Sequence, residues 1–334
     1  MFSKIYEKIK GFIKKNYKEI IVYILIFLFL TFPLPYYIYI GGGIIDLNDR
    51  ISLESNEEGS YNLAYVKQIN ATIPTYLLSF VIDSWTLESV SDSSIDSEES
   101  MSDISERERI YLEEANNHAI LNAYRLAGRD IDIKSSSYKV IYVSSKSETD
   151  IEIGDTLVSV NGISVNNNSE YKEYLNSLEV NDNLNVKVIR DGKEIDCYAK
   201  LKELDGEKII GLYMANIYDF EVDPEIELYF NWNESGPSGG FMLSLAIYDR
   251  LVDTDLTKGR KIVGTGTIDQ EGRVGEIGGV TYKLMGAVDN KADIFFVPAA
   301  NYEEAMEAKE KYDYDIEIVQ VETLVDAIKY LEEN

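Results

Sequence analysis

The chain has 334 residues, enough for about two domains beside an anchoring segment. Its net charge is −27, and residues 1–19 carry six lysines against Glu7 and Glu19, so the remainder holds −31. So acidic a body excludes a nucleic-acid partner, whose affinity comes from neutralised phosphates, and is repelled by anionic lipid. A single cysteine, Cys197, excludes an internal disulfide. With one histidine beside it, His118, no zinc site is expected, and neither a metal nor another cofactor.

Residues 1–19 form a basic segment. Ile20 to Ile40 follow without a charge, long enough for a bilayer core that takes about 20 residues. Tyr36, Tyr37 and Tyr39 suit an interfacial aromatic belt, and Pro33 and Pro35 predict the helix end near the outer face. The run exceeds a signal-peptide core and lacks a small-residue cleavage site before the prolines, so residues 20–40 are expected to be an uncleaved transmembrane anchor. The preceding lysines predict a cytoplasmic N-terminus and an extracellular body.

Beyond Gly41–Gly43, alternating apolar residues predict strands over Ile44–Ser55 and Tyr61–Asn70, and Pro74–Leu87 reads as a helix. Ser89 to Ser105 is polar and reads as a solvated loop. Ser105-Glu-Arg-Glu108 matches a capping box for a helix over Ile110–Leu126, where His118 reads as an ordinary satisfied helix residue. From Tyr138 to about Leu204 the pattern becomes a small β unit. It has a strand at Val140–Val143, a short helix near Glu170–Leu178, and strands Leu184–Ile189 and Glu194–Leu201 around the turn Arg190-Asp-Gly-Lys193. Its run Gly154-Asp-Thr-Leu-Val-Ser-Val-Asn-Gly162 resembles a PDZ domain. The resemblance implies binding of extended peptides by strand addition. The carboxylate-binding loop of such domains is not recognisable, so C-terminal recognition and a gating or spacer role both stay open.

Gly211–Tyr218 and Glu225–Trp232 read as strands leading to Glu234-Ser-Gly-Pro-Ser-Gly-Gly240, a turn that opens an uninterrupted helix from Phe241 to Leu251. Ser238 stands where that helix begins, near unpaired amides, and Gly236, Gly239 and Gly240 leave room for a substrate backbone. That setting suits a nucleophile, and it equally suits a helix cap. A serine nucleophile needs a base, and burial can lower a lysine from roughly 10.4 by about 3–5 units. Lys283 is the candidate. It follows Gly264-Thr-Gly-Thr-Ile-Asp-Gln-Glu-Gly-Arg-Val-Gly-Glu-Ile-Gly-Gly279, read as two short strands, a turn and a Gly-Gly break. It stands in a helix over Thr281–Val288, where a solvated lysine is the plainer reading. Strands at Ala292–Val297 and Asp315–Val321 and helices at Tyr302–Lys311 and Glu322–Glu333 complete an α/β pattern.

Gly-Pro-Ser-small-Gly, then Thr-Gly-x-Ile-x-x-x-Gly-x-Val-x-x-Ile-Gly-Gly, then Lys, resembles the proteolytic domain of Lon-type proteases. The resemblance implies a Ser238–Lys283 dyad, with Thr265 near the lysine and Gly236, Pro237 and Gly239 shaping the turn. Ser235 and Thr267 stand where many Lon proteases have acidic residues, which bears on rate or substrate preference. No phosphate-cradling Gly-x-x-x-x-Gly-Lys-Ser/Thr loop occurs, so an ATP-independent enzyme is expected.

The whole order resembles membrane-anchored, PDZ-containing Lon-like proteases of Gram-positive bacteria. This implies residues 41–136 as the first part of the protease domain, 137–205 as an inserted PDZ-like domain and 206–334 as the proteolytic part with the dyad. The expected fold is therefore an α/β (α+β) Lon-type domain with a PDZ-like insertion and one transmembrane helix. The expected activity is serine endopeptidase cleavage of peptide or protein substrates at the outer membrane face, and Lon-type domains tend to assemble as homo-oligomeric rings. Two alternatives stay in view. One is an anchored PDZ peptide-binding or scaffold protein with an inactive protease fold, which retention of both Ser238 and Lys283 disfavours. The other is a Ser-His-Asp protease using His118, which lacks the required motif.

Overall fold

The computed structural model describes residues 2–334 apart from Asn56, 91–98, 166–167, Asp205, Trp232 and Asp253. The chain divides into two units, Met1–Gly41 with Val66–Ser94, and Gly42–Tyr65 with Ile95–Asn334.

In the first unit, helix α1 (Phe2–Thr31) carries the basic segment and only the first part of the apolar run. The expected helical span over 20–40 is corrected here. From Ile20 to Thr31 the helix covers about 18 Å at ~1.5 Å per residue, against a hydrocarbon core of ~30 Å. Pro33 and Pro35 lack helix donors and push the residues before them into extended conformation, so Pro33–Asp46 is strand β1. Among the described residues no helix is long and apolar enough to cross a membrane. Strand β2 (Ser60–Thr72) runs into a short helix, α2 (Ile73–Leu78), which Thr72 and Thr75 cap reciprocally. The helix predicted over Pro74–Leu87 ends early because Thr86–Ser89 is strand β3, pairing antiparallel with Tyr36–Tyr39 of β1.

In the second unit, β1 ends sooner than the strand expected over Ile44–Ser55. The Asp46 carboxylate accepts from the Asn48 amide (2.9 Å) and starts a 3-10 turn at Asn48–Arg50. Helix α3 (Met101–Leu126) begins a turn before the expected capping box, because Ser100 and Asp103 form that reciprocal pair instead. The loop expected over 89–105 therefore ends by Met101, and its stretch 91–98 lies outside the described residues. Strand β4 (Ile131–Val143) leads into the PDZ-like part: β5 (Thr156–Val160), β6 (Ile163–Ser164), α4 (Asn168–Ser177), β7 (Asn183–Arg190), β8 (Lys193–Lys200), β9 (Lys202–Leu204) and β10 (Glu207–Ile209). Strand β11 (Leu212–Val222) returns antiparallel along β4 for its whole length, Leu212 opposite Val143 and Val222 opposite Ile131. The sheet order is β11-β4-β5-β7-β8, with β6 on β5.

The marker residues of this part have structural work. Asp155 is buried, accepts from the Glu152 amide (2.8 Å) and holds Arg190 through two bonds of 2.7 and 2.6 Å. Asp191 (φ 52°) and Gly192 (φ 73°) supply the two left-handed residues of the β7–β8 hairpin turn. The PDZ-like part has its own core, including Val140, Leu157, Leu184, Val186 and Ala199.

Residues Glu225–Trp232, expected as a strand, make one bridge, Leu228 to Ile51, and Trp232 itself lies outside the described residues. Then follow α5 (Gly240–Leu251), β12 (Lys261–Gly264), β13 (Thr267–Ile268), β14 (Val274–Gly275), α6 (Val280–Asp289), β15 (Ile294–Pro298), α7 (Tyr302–Lys311), β16 (Glu317–Val321) and α8 (Leu324–Glu333). Within this unit the main sheet runs β16-β15-β12-β2-β1, with β16 parallel to β15, β15 to β12 and β12 to β2.

Alternation in the central strands fills both faces. Ile262, Ile294 and Phe296 point to a core shared with α3, α5 and α8; Val263, Phe295 and Val297 point to one shared with α6 and α7. A parallel sheet covered on both faces explains why Ile294–Pro298 is buried at every position. Each fully buried large side chain there contributes ~1.5–3 kcal/mol.

Candidate active site

Helix α5 lies inside the molecule. From Gly240 to Ile247 every residue is buried, and the one hydroxyl in that run, on Ser244, donates to the Ala119 carbonyl (3.1 Å). Such a helix holds its N-terminus rigidly. The preceding turn is fixed in steps: the Gly236 amide donates to the Glu108 carbonyl (3.0 Å), and the Gly240 amide to the Pro237 carbonyl (3.1 Å). Gly236 has φ 90°, which a side chain rarely tolerates, and a Cβ on Gly239 would press Leu63 at 3.1 Å. Ser238 is half-buried immediately before the cap residue Gly239. Its carbonyl accepts from the Gly266 amide (2.8 Å) and from the Thr265 hydroxyl (3.1 Å). Among the described residues, the amides of Ser238 and Gly239 have no protein acceptor.

Thr265 stands between two glycines that close approach requires. A Cβ on Gly264 would meet Met242 Sδ at 2.6 Å, and one on Gly266 would meet Val274 Cγ1 at 2.6 Å. Strand β12 thereby lies close against α5, and Thr265 is wholly buried. Lys283 reaches the same place from α6. The Asn301 side chain clamps Ile277 through both backbone groups, at 2.9 and 3.0 Å. Gly279 then takes the left-handed conformation (φ 69°) that starts α6, and Lys283 follows one turn later. Its side chain is 3% exposed, and Nζ donates to Thr265 Oγ1 (3.0 Å). Burial pushes the ammonium down from 10.5 to about 8. Among the described residues no carboxylate pairs with it.

The sequence-predicted residues are thus brought together through Thr265, which accepts from Lys283 and donates to the Ser238 carbonyl. No direct bond joins Ser238 Oγ and Lys283 Nζ among the described residues. Among these residues also, no group of His, Cys, Asp and Glu side chains is arranged to hold a metal ion.

A cleft of about 390 Å³ opens beside Pro237, lined also by Ala115 and His118 of α3, Thr267 and Ile268 of β13, and Arg273. His118 is not the fully satisfied residue expected from the sequence. Nδ1 meets the Ile268 carbonyl (3.1 Å), whereas Nε2 is shielded and has no partner among the described residues. Its single signal in the sequence was its placement on the helix that precedes the PDZ-like part.

Residues 232–333 match the Lon protease (S16) C-terminal proteolytic domain. This Lon-type domain holds Ser238, Thr265 and Lys283 within one matched stretch, and the match supports a peptidase. Residues 129–201 match a PDZ domain. Over 123 residues the chain is 31% identical to the Lon protease of Campylobacter jejuni, covering 33% of this chain and 15% of that protein. The chain therefore spans only a small part of that relative. Among solved structures, the PDZ domain of the SdrC-like protein from Listeria monocytogenes is 19% identical over 25% of this chain and 92% of its own, with a TM-score of 0.23. That of the SdrC-like protein from Listeria innocua is 22% identical over 23% and 92%, with a TM-score of 0.22.

Proposed function

We propose that the protein is an ATP-independent serine endopeptidase in which Ser238 is the nucleophile and Lys283 the general base. The observation that carries this reading is a buried lysine without a carboxylate partner among the described residues, held by a hydroxyl that is bonded to the nucleophile's own carbonyl. A lysine near pKa 8 is neutral in a useful fraction of molecules at physiological pH. It takes the Ser238 proton as Oγ attacks the scissile carbonyl, and the same proton then goes to the leaving amine. The acyl-enzyme is released by water, which Lys283 deprotonates in turn. The Ser238 and Gly239 amides are the donors for the oxyanion, at the start of a buried helix whose dipole favours negative charge. Hydrogen bonds between nucleophile and base commonly tighten only when substrate is bound, consistent with the indirect link in the free chain.

The chain is further proposed to associate with a membrane through the apolar end of α1. Supporting this, ten consecutive residues from Ile21 to Leu30 are apolar or tyrosine and none of them is buried, each being 47–68% exposed. The PDZ domain is proposed to select or admit extended substrates.

The test uses the full chain as wild type, Ser238→Ala and Lys283→Ala, with an unstructured protein and a peptide library, without ATP, read by mass spectrometry. Cleavage by the wild type alone is expected; cleavage that survives either substitution refutes the mechanism. Thr265→Val should lower kcat about 10- to 100-fold, less than the ~10²–10⁴-fold of a lost acid–base group, because Thr265 positions the base and does not transfer the proton. Because Thr265 accepts from the charged amine, its removal should also move the pH–rate midpoint to lower pH. A midpoint that moves upward would refute that role.

A further inference from the structure

We propose that Leu77–Val81 is a second lipid-contacting surface, an apolar wedge that enters the headgroup and upper acyl region of a bilayer beside the apolar end of α1. This rests on the membrane reading of α1 above and adds a separate surface to it.

From Gln68 to Ile82 no side chain is charged, in a chain where 27% of residues are. Within that run, α2 and the turn after it leave their large apolar groups in the open. Leu77 is 55% exposed, Leu78 45%, Phe80 68% and Val81 76%. Such groups gain by leaving water, and among the described residues nothing covers them. Much of the backbone beneath them is already paired internally, as a hydrocarbon surrounding requires. The Ser79 amide donates to the Thr75 carbonyl (3.0 Å), and the Val81 and Ile82 amides to the Leu78 carbonyl (2.9 and 3.0 Å). The Ser79 hydroxyl donates to the Tyr76 carbonyl (2.7 Å).

The position of the patch selects a bilayer as its occupant. Helix α2 touches α1, and the Tyr76 ring lies between Tyr36 and Phe80, 5.2 Å from each. Tyr36 stands in β1 shortly after the end of α1 at Thr31, and Phe32 between them is 54% exposed, so apolar surface continues from the helix to the wedge. The apolar part of α1 is shorter than a hydrocarbon core of ~30 Å, so further apolar contact at its end strengthens the hold. Tyr76 precedes the wedge and Trp85 follows it, both half-buried and of the types that seat at headgroup level. The six lysines of residues 1–19 supply the attraction to anionic lipid that the acidic remainder lacks.

The native cysteine, Cys197, is buried, so a thiol introduced by Phe80→Cys is labelled selectively. Full-length Phe80→Cys carrying an NBD fluorophore is diluted from detergent into phosphatidylcholine–phosphatidylglycerol vesicles, with Glu310→Cys on the exposed side of α7 as the reference. The label on Phe80→Cys should shift to the blue and be quenched by a lipid bearing a nitroxide near its headgroup, and the reference label should do neither. In vesicle flotation, Phe80→Asp/Val81→Asp should lower the partition coefficient at least about 10-fold. Its unfolding midpoint should stay at the wild-type value, because both side chains are exposed. A wild type that floats while the label stays unshifted, or a double variant that floats like wild type, overturns the wedge and leaves the α1 reading standing. Flotation that survives Ile24→Asp/Phe27→Asp but not Phe80→Asp/Val81→Asp sinks the α1 reading alone. A wild type that does not float sinks both. A label that shifts without vesicles as protein concentration rises, in a dimer that Phe80→Asp/Val81→Asp splits, overturns the wedge in favour of a second copy of the chain.

Discussion

Lys283→Met should abolish proteolysis and make the protein more stable at the same time. Burial lowers the ammonium from 10.5 to about 8, and each pKa unit corresponds to ~1.4 kcal/mol, so keeping the charged form inside costs about 3 kcal/mol near neutral pH. Methionine keeps the length and apolar stem of the side chain without the charge. Thr265 still donates to the Ser238 carbonyl, so the loss of its bond from Nζ offsets only part of the gain. A net gain of about 1–3 kcal/mol at pH 7 is expected from urea unfolding. The sign follows from which state holds the proton more tightly. The folded pKa is the lower one, so the unfolded chain binds the proton better, and wild-type stability rises as pH goes from about 8 to 10.5. The advantage of the variant is therefore full below pH 8 and vanishes towards 10.5. If Lys283→Met unfolds more easily than wild type at pH 7, the lysine is not a buried cation. The same group sets the rate profile: about a tenth of Lys283 is neutral at pH 7 and about nine-tenths at pH 9, so kcat/KM should rise ~10-fold across that interval. A rate that is flat from pH 5 to 9 would contradict the assigned base.

Arg250→Ala should cost about 3–5 kcal/mol of stability, the range for breaking a buried ion pair by removing one partner. The Arg250 and Glu57 side chains are 1% and 3% exposed, with Nε 3.3 Å from the carboxylate. The guanidinium also donates to the Ile51 and Leu53 carbonyls (3.1 and 3.0 Å) and to Asn48 Oδ1 (2.6 Å), tying the 48–57 segment to the end of α5. Its removal strands a buried carboxylate and two carbonyls. Adding Glu57→Gln to Arg250→Met should recover part of the loss, because no charge is then left inside. Guanidinium unfolding of the three variants measures this, and a cost under about 1 kcal/mol for Arg250→Ala would mean that water replaces the pair.

The residues of the candidate site were legible through the resemblance of their motifs to a known family, since locally Ser238 read as a cap and Lys283 as a solvated lysine; the structure supplies the physical reason for the spacing. Gly264 and Gly266 admit no side chain, Gly236 and Gly279 need positive φ, and such positions leave a fixed spacing around Ser238, Thr265 and Lys283. Helices α5 to α8 were legible from periodicity, with α7 at the same bounds. The run 20–40 was not, because continuous apolar composition does not tell helix from strand; the prolines marked the change, and residues beyond Thr31 became β1. Strand β12 is four residues long and was not anticipated. The unsatisfied Nε2 of His118 depends on the Ile268 carbonyl, 150 positions away, and no local pattern encodes such a meeting.

Strands β4 and β11 have a mechanical consequence. A domain hung on one linker can swivel, but this one is joined by two chain segments bonded to each other from Ile131–Val222 up to Val143–Leu212. Torsion about that stem strains hydrogen bonds, while bending across the ribbon is the softer motion. The outer edge of β11 is further clasped by α3, whose Glu114 and Asn117 side chains accept from the Asn216 and Tyr218 amides (2.9 and 2.6 Å). Load on the PDZ-like part would therefore pass down the stem to α3 instead of being lost in a loose linker.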